Sequence, residues 1–264
     1  MIFLKDISIK AGAGKGEAYP FGLPLVQNFK KLEFRSEVTF LVGENGSGKS
    51  TLLEGLAAAV DCPVVGGEAI RTDPGMAAAR ALGKALKLSW AKRSHQGFFL
   101  RAEDFFNFSK TLRNSSRELE DLASEFSRKG QGIGWKMAAG SAQGQREAYR
   151  KLYGDDLDAR SHGESFLKLF QSRMVPGGLY LLDEPEAPFS PQRQVAFLAM
   201  LMEMRGTSQF VIATHSPILM ALPGASLLSF EDGKVTEAKY EDLEHVRITK
   251  GFLNNPQTYL RHFM

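Results

Sequence analysis

The chain has a single cysteine, Cys62, among its 264 residues, and it lacks any run of about 18 apolar residues that could cross a bilayer. One thiol excludes an intrachain disulfide, a thiolate zinc cage and a redox pair of cysteines. The amino terminus, residues 1–10, alternates polar and apolar residues and has no signal-peptide core. We therefore expect a cytoplasmic protein with no transmembrane segment of its own.

The chain also lacks a strong surplus of charge of either sign. Lysine and arginine total 33 against 30 aspartates and glutamates, which gives a formal net charge of +3. This balance fits a nucleic-acid partner and a nucleotide ligand equally, so it excludes neither. With 264 residues, 43% of them hydrophobic, the chain can bury one large core or two modest ones. We expect one α/β body with a smaller lobe.

A glycine-rich loop carries the strongest functional signal. An apolar run at 38–42 precedes it and a helix-favouring run at 51–60 follows it. Its glycines allow backbone N–H groups to line one concavity at a helix start, which is a binding site for phosphates. We expect Lys49 to reach the β- and γ-phosphates of ATP and Ser50 to bind Mg²⁺. The predicted ATP-binding residues of the loop are Glu44, Asn45, Gly46, Ser47, Gly48, Lys49, Ser50 and Thr51, after Gly43.

Two acidic residues, Asp183 and Glu184, close an apolar strand predicted at 179–182. That position places both carboxylates where the sheet edge meets bound phosphates. We expect Asp183 to hold Mg²⁺ through water and Glu184 to polarise the attacking water. His215 ends the next apolar strand, at 210–213, where a side chain that senses the γ-phosphate is needed.

A second anion site is predicted where Ser161 and Gly163 precede a helix expected over 166–174. One ATP needs only one such cradle. The second one therefore indicates a γ-phosphate held by another copy of the protein.

The order of these motifs resembles the ATP-binding-cassette (ABC) superfamily of ATPases. The phosphate loop or Walker A lies at 43–51, the signature at 161–165, Walker B at 179–184, the D-loop at 186–190 and the switch histidine at 215. The resemblance implies two ATPs held between the subunits of a head-to-tail homodimer. It also implies that Lys49 holds the γ-phosphate that Ser161 of the other subunit caps, that Glu184 is the catalytic base and that His215 is the switch.

The signature departs from the transporter pattern, because it reads Arg-Ser-His-Gly-Glu at 160–164. That sequence is more similar to the heads of chromosome-maintenance and DNA-repair ATPases, and to small stand-alone predicted bacterial ATPases. The larger relatives insert long coiled coils before the signature, whereas only 112 residues separate Lys49 from Ser161 here. A compact, stand-alone ATPase is the better fit.

Two positions stay open in the sequence. The Q-loop residue is either Gln96, before the strand at 97–100, or Glu103, after it. We favour Glu103, whose carboxylate could meet Mg²⁺ or water, although a glutamate at a helix start also fits. The aromatic residue that stacks on adenine is Tyr19 or Phe21, unless both only pack.

The predicted fold is α/β, a P-loop NTPase of ABC type with a mostly parallel central sheet flanked by helices. An N-terminal antiparallel β portion and a smaller helical lobe accompany this sheet. We expect residues 1–67 and 175–264 to form the core and residues 68–174 the smaller lobe. Three details are also expected. Ser190 and Ser216 cap helices, Phe98 and Phe99 lie in the core of the smaller lobe, and an amphipathic helix spans 105–126.

Three functions compete at this point. The first is an ATPase that dimerises on ATP and acts on an unknown macromolecular partner, a nucleic acid or a protein, with roles in DNA repair or defence. The second is the ATP-binding subunit of a membrane ABC transporter, which the divergent signature disfavours. The third, a non-enzymatic nucleotide sensor, is disfavoured by the intact Lys49, Asp183 and Glu184.

Overall fold

The computed structural model describes residues 1–13, 16–104 and 162–261, together with positions 118, 121, 124, 125, 128, 140, 141 and 144. Ser161 lies outside the described residues. The helix predicted over 105–126 also lies outside them, except for a few single positions, which are helical.

The described strands fall into two sheets. They are β1 (Leu4–Ile9), β2 (Lys31–Glu33), β3 (Val38–Val42), β4 (Leu86–Trp90), β5 (Gln96–Arg101), β6 (Gly178–Asp183), β7 (Gln209–Ala213), β8 (Ser226–Glu231) and β9 (Lys234–Ala238). Six of them form the central sheet in the order β5-β6-β7-β3-β8-β9. Neighbours from β5 to β8 pair in parallel, and β9 returns antiparallel to β8. The predicted mostly parallel sheet is confirmed.

A smaller antiparallel sheet of order β2-β1-β4 packs beside the central one. Its position is fixed by the buried side chain of Gln209, at the start of β7. The Oε1 atom of Gln209 accepts the N–H groups of Phe3 and Leu4 at 2.9 and 2.8 Å, and its Nε2 donates to the carbonyl of Leu4 at 2.9 Å. Because a buried amide must be hydrogen-bonded, these three bonds attach the N-terminal sheet to the core in one arrangement.

Helices in the described part of the chain cover the two faces of the central sheet, and the last helix in the sequence is exposed at every residue. The described helices are α1 (Pro24–Asn28), α2 (Lys49–Val60), α3 (Ala77–Ala85), α4 (His162–Arg173), α5 (Pro191–Glu203), α6 (Pro217–Met220), α7 (Glu244–Asn254) and α8 (Pro256–Leu260). Helix α2 starts within the glycine-rich loop and ends at Val60, and its C-cap, Asp61, is a left-handed residue at φ 57°. Proline stands in the first turn of α5, α6 and α8, where its missing N–H removes no helical bond.

The parallel strands of the central sheet are mostly buried on both faces, as parallel strands covered by helices must be. The antiparallel edge strand β9 is largely exposed. On one face, Phe40, Tyr180 and Phe210 pack in a core with α4 and α5. On the other, Leu41 and Leu181 pack against α2 and the N-terminal sheet. Successive residues point to opposite faces, so uninterrupted apolar runs serve both cores. Packing in these two cores holds in place the strand ends that carry the functional residues.

Three expectations about local structure need correction. Phe98 and Phe99 lie on β5, one in each core of the central sheet, rather than in a separate lobe. Ser190 stands at the start of α5 with no side-chain capping bond to the described residues, whereas the hydroxyl of Ser216 accepts the N–H of Leu219 as expected. The described part of helix α4 already includes His162, so the helix extends to residues before the predicted start at 166.

The division into a core and a smaller lobe stays a prediction. Strands β4 and β5 come from the range 68–174 assigned to the smaller lobe, yet they pair with β1 and β6.

Candidate nucleotide-binding site

The glycine-rich loop connects the end of β3 to the start of α2, in the middle of the central sheet. Gly43 passes so close to the carbonyl oxygen of Phe230 that a Cβ would lie 2.5 Å from it. Gly48, at φ 97°, is the N-cap of α2 and lies against the side chain of Leu25. Only glycine meets both conditions without strain. The loop therefore has the tight turn that phosphate cradles require, while Glu44 and Asn45 remain exposed on it.

Lys49 is buried in this loop, with 4% of its surface exposed. Its Nζ donates to two carbonyls of the loop itself, at 2.7 Å to Gly43 and 2.9 Å to Glu44. Burial lowers the pKa of Lys49, while nearby carboxylates, chiefly those of Asp183 and Glu184, oppose that shift. The buried Oγ of Ser47 has no hydrogen-bond partner among the residues that the structure describes. A buried cation beside an unpaired hydroxyl fits a phosphate group.

Ser50 and Asp183 meet at the carboxyl ends of the central strands. The hydroxyl of Ser50, on α2, donates to Oδ1 of Asp183, at the end of β6, over 3.1 Å. Burial raises the pKa of Asp183 to about 7, although the bond from Ser50 opposes the shift. A buried carboxylate that is short of positive charge beside a hydroxyl is a donor set suited to Mg²⁺. Two of the residues expected to hold the metal, Ser50 and Asp183, are therefore adjacent.

Glu184 follows Asp183 in a left-handed conformation at φ 48°. Its N–H bonds the carbonyl of Ala213 at 2.9 Å, and 46% of its side chain is exposed. Non-glycine residues held at positive φ concentrate at functional sites, where the surrounding structure stabilises the strain. The turn leaves the carboxylate of Glu184 at the mouth of the site, 3.7 Å from Nε2 of His215.

Glu186 is a further carboxylate of the site. The sequence analysis included it as the first residue of the D-loop and gave it no role of its own. Its Oε1 accepts the hydroxyl of Thr214 at 2.6 Å and the backbone N–H of His215 at 2.8 Å. Its Oε2 is buried and has no partner in the described part of the chain, and burial raises the pKa of this carboxyl. Glu186 thus fixes the backbone from which the His215 ring extends. The sequence signal was a third acid in the run 183–186.

His215 pairs with a second histidine that the sequence analysis did not single out. Nδ1 of His215 lies 3.1 Å from Nε2 of His245, on α7, and the ring centroids are 5.1 Å apart. Nε2 of His245 also lies 3.7 Å from Oε1 of Glu44 in the phosphate loop. His245 stands 30 residues beyond His215 in an ordinary amphipathic helix, so no local pattern indicates the pairing.

The structure shows where several of the residues left open as alternatives lie. Tyr19 donates or accepts a hydrogen bond of 3.0 Å with Oγ1 of Thr51, beside the phosphate loop, and its surface is 60% exposed. Gln96 starts β5, at the sheet edge opposite to Asp183, whereas Glu103 follows the other end of that strand. Glu103 is 71% exposed and its Oε1 lies 3.2 Å from Nη1 of Arg101. Stacking on adenine by Tyr19 or Phe21 and metal binding by Glu103 stay predictions.

The predicted signature lies partly outside the described residues. Gly163 is in the first turn of α4, a helix of 12 residues that packs on the central sheet. The role of Ser161 and Gly163 toward a second nucleotide stays a prediction.

Three adjacent strands, β6, β7 and β3, thus bring their carboxyl ends to one edge of the sheet. They place a phosphate loop, a pair of acidic residues and a histidine side by side, as ligand sites of open parallel sheets require. This arrangement defines a P-loop nucleotide-binding enzyme.

Two protein-family models match segments of the chain. One, described as "AAA domain", matches residues 21–61, and the other, described as "AAA domain, putative AbiEii toxin, Type IV TA system", matches residues 166–221. The first segment holds the phosphate loop and the second holds the acidic pair and His215. The site and both matches are those of a P-loop ATPase, and the order of the motifs in the sequence is similar to that of ABC-type ATPases.

Solved structures with a similar course of the chain include Smc heads and a transporter cassette. The Smc head domain of Pyrococcus furiosus, bound to the C-terminal domain of ScpA, is 12% identical, with a TM-score of 0.46 over 96% of this chain and 100% of its own. The SMC head domain of Thermotoga maritima is 16% identical, with a TM-score of 0.41 over 89% and 98%. A nucleotide-free ATP-binding cassette of an ABC transporter is 16% identical, with a TM-score of 0.49 over 97% of both chains.

No curated protein sequence matches the chain. Within the part of the chain that the structure describes, no helix combines the length and the apolar character needed to span a membrane.

Proposed function

We propose that the protein is a Mg²⁺-dependent ATPase that forms a head-to-tail homodimer when it binds ATP and uses this closure to act on a macromolecular partner. The observation that carries the proposal is the convergence of Lys49, Ser50, Asp183, Glu184 and His215 at one sheet edge. Each of these residues is expected from the motif order, and each lies at the end of a strand or the start of α2.

The residues divide the work by their chemistry. Lys49 and the hydroxyl of Ser47 bind phosphate oxygens, and Ser50 and Asp183 hold Mg²⁺, whose charge offsets that of the phosphates when it is bound. Glu184 orients the attacking water and accepts its proton. Its half-exposed position at the mouth of the site suits this role, because water reaches it.

Dimerisation is proposed from the second anion site. A helix that starts beside Ser161 and Gly163 offers N–H groups to an anion, and Lys49 already serves the phosphates of the same chain. ATP that contacts both copies would favour the closed dimer by its differential binding energy.

The partner is proposed to be a nucleic acid or a protein, in DNA repair or defence. The description of the second family model names a toxin, which supports a defence role. We propose that residues 68–174, in the expected smaller lobe, carry the partner surface.

The test compares Glu184→Gln with a matched change at the exposed Glu203, which ends α5. We expect Glu184→Gln to lower the kcat for ATP hydrolysis by about 10² to 10⁴, the typical contribution of a general base. This variant should also accumulate as a dimer in Mg-ATP, as measured by size-exclusion chromatography with light scattering. Glu203→Gln should behave as the wild type does.

A second substitution tests the contact between copies. Ser161→Arg should prevent the dimer while leaving ATP binding by the monomer within about threefold, since the phosphate loop is unchanged. A Glu184→Gln variant that stays monomeric in saturating Mg-ATP and turns over normally would refute both the base assignment and the dimer.

A further inference from the structure

Four side chains form a continuous chain of polar contacts across the site. Glu184 Oε1 lies 3.7 Å from Nε2 of His215, and Nδ1 of His215 lies 3.1 Å from Nε2 of His245. Nε2 of His245 lies in turn 3.7 Å from Oε1 of Glu44. The chain links the proposed base, through two imidazoles, to the phosphate loop. His245 is the member with no role in the site as described above.

The position of His245 is set by the packing of α7. Its neighbours in sequence, Leu243 and Val246, are buried in the core at 5% and 0% exposure. The hydroxyl of Tyr240, just before the helix, donates to the carbonyl of Pro217 at 3.1 Å, two residues after His215. The ring of His245 is itself 22% exposed. Helix α7 therefore holds this ring against His215 by contacts that do not involve the ring.

The short distance between the two ring nitrogens determines how their hydrogens are shared. A neutral imidazole carries one N–H and one acceptor nitrogen, so one of the two facing nitrogens carries the hydrogen and the other accepts it. A hydrogen on Nε2 of His245 faces both Nδ1 of His215 and the carboxylate of Glu44. The remaining hydrogen of His215 then lies on its Nε2, toward Glu184.

The opposite arrangement is electrostatically unfavourable. If Nδ1 of His215 carried the hydrogen, a bare Nε2 lone pair would face Glu184, and a bare nitrogen of His245 would face Glu44. Both carboxylates therefore favour hydrogens on both Nε2 atoms. Nε2 of His215 is buried and has no hydrogen-bond partner among the described residues, so its hydrogen is available to a ligand.

We propose that His245 is a positioning residue that holds His215 in the Nε2–H tautomer, with this hydrogen directed beside Glu184 at the phosphate side of the site. The inference rests on the proposed ATPase function and deepens it, because a hydrogen on Nε2 lets His215 donate to a phosphate oxygen. His245 acts only through His215.

The electrostatics of His215 agree with a neutral ring. Burial lowers the pKa of His215, and the positive charge of Lys49 lowers it further. Glu184 opposes these effects. A neutral ring can carry its hydrogen on Nδ1 or on Nε2, and His245 determines which of these two tautomers His215 adopts.

The direct test is a long-range ¹H–¹⁵N correlation spectrum of the histidine rings at pH 8 without nucleotide. The chain has five histidines, and the His215 signals are those lost in His215→Gln. We expect the wild type to show the Nε2–H pattern alone and His245→Ala to show a mixture of tautomers. An Nδ1–H pattern in the wild type, or unchanged signals in His245→Ala, would overturn the proposal whatever the kinetics show.

Kinetics provide a second test. His245→Ala should lower kcat by roughly ten- to a hundredfold, the usual effect of losing the partner that orients a functional histidine, with a smaller change in KM. His245→Gln should restore most of the loss, because its amide N–H can donate to Nδ1. His95→Ala, an exposed histidine at the opposite sheet edge, is the matched control and should retain wild-type activity. A kcat of His245→Ala equal to that of the wild type would also overturn the proposal.

The outcomes separate this inference from the proposed function. An active wild type with an inactive Glu184→Gln variant upholds the ATPase whatever His245 does. An inactive wild type refutes the proposed function, while the ring spectrum still decides the tautomer. Melting temperatures of the His245 variants within a few degrees of the wild type would show that α7 remains folded.

Discussion

Two clusters of charged side chains lie near the carboxyl ends of the central strands, and they differ in how their polar atoms are paired. The Arg101 cluster consists of Arg101 with Glu54, Asp73, Glu103 and Asp104. Its guanidinium binds Asp104 through two bonds, of 2.7 and 2.9 Å, and approaches the other three acids within 3.9 Å. The cation of this cluster is therefore surrounded by acceptors.

The phosphate-site cluster has the opposite character. Ser47 Oγ, Glu186 Oε2 and His215 Nε2 are buried in it without partners among the described residues, and Lys49 bonds only neutral carbonyls among the contacts described for it. Unpaired buried polar atoms cost stability, so their concentration at one place needs an explanation. We infer that the Arg101 cluster stabilises the fold, whereas the phosphate-site cluster gives up stability to bind a ligand.

The largest effect on stability is expected from a substitution that breaks the Arg101 cluster. Arg101→Met should lower the free energy of unfolding by about 4 kcal/mol, because Asp104 would stay buried without its cation. Urea denaturation measures this loss. The side chain of Asp104 is only 6% exposed, so water cannot replace the lost bonds.

The double variant Arg101→Met, Asp104→Leu is the matched control. It should recover much of the stability, because neither charge is then left unpaired. A single-variant loss below about 1 kcal/mol would show that the cluster is not structural.

A second prediction concerns pH and the phosphate-site cluster. Burial raises the pKa of Asp183 to about 7, against an ordinary value of 3.8. Between these values the native state binds more protons than the unfolded state, so nucleotide-free protein should lose stability as the pH rises from about 4 to about 7. A side-chain amide at this position cannot ionise, so Asp183→Asn should be more stable than the wild type at pH 8, by roughly 1–3 kcal/mol.

Thermal melts in EDTA at pH 5, 6, 7 and 8 measure the difference. It should shrink toward pH 5, since both proteins are then close to neutral at this position. The exposed Asp242→Asn is the control and should follow the wild type at every pH. If the difference in melting temperature between the wild type and Asp183→Asn did not change with pH, the raised pKa of Asp183 would be contradicted.

The sequence predicts well those site residues that directly follow a strand or lie in a glycine-spaced loop. Parallel strands such as β6 and β7 are continuous apolar runs, and a functional residue directly after each is marked by its position. Asp183, Glu184 and His215 were identified in this way, and Lys49 by the glycine spacing of its loop. Local pattern is sufficient wherever the site residue and its supporting element are adjacent in the chain.

The sequence failed where contacts join distant segments. His245 reaches His215 because α7 packs on the core, and Arg101 meets Glu54 because β5 ends beside α2, neither of which leaves a local pattern. Phe98 and Phe99 were expected in the core of a smaller lobe but lie in the two cores of the central sheet, which the sequence could not show for the same reason. The apolar run of β5 indicates a buried strand, but only its pairing with β6 shows which sheet it joins.

The smallest expected effect comes from Ser47, and it tests the comparison of the two clusters most directly. Ser47→Ala removes a buried hydroxyl that has no partner among the described residues of the nucleotide-free protein, so the free energy of unfolding should stay equal or rise by up to about 1 kcal/mol. The free energy of ATP binding should become less favourable by up to about 1 kcal/mol, because the same hydroxyl is proposed to bind a phosphate oxygen. Ser216→Ala is the contrasting variant, since its hydroxyl caps α6 and its loss should cost about 1 kcal/mol of stability. If both serine variants lost stability equally, the unpaired atoms of the phosphate site would not mark a ligand, and the difference between the two clusters would lose its functional meaning.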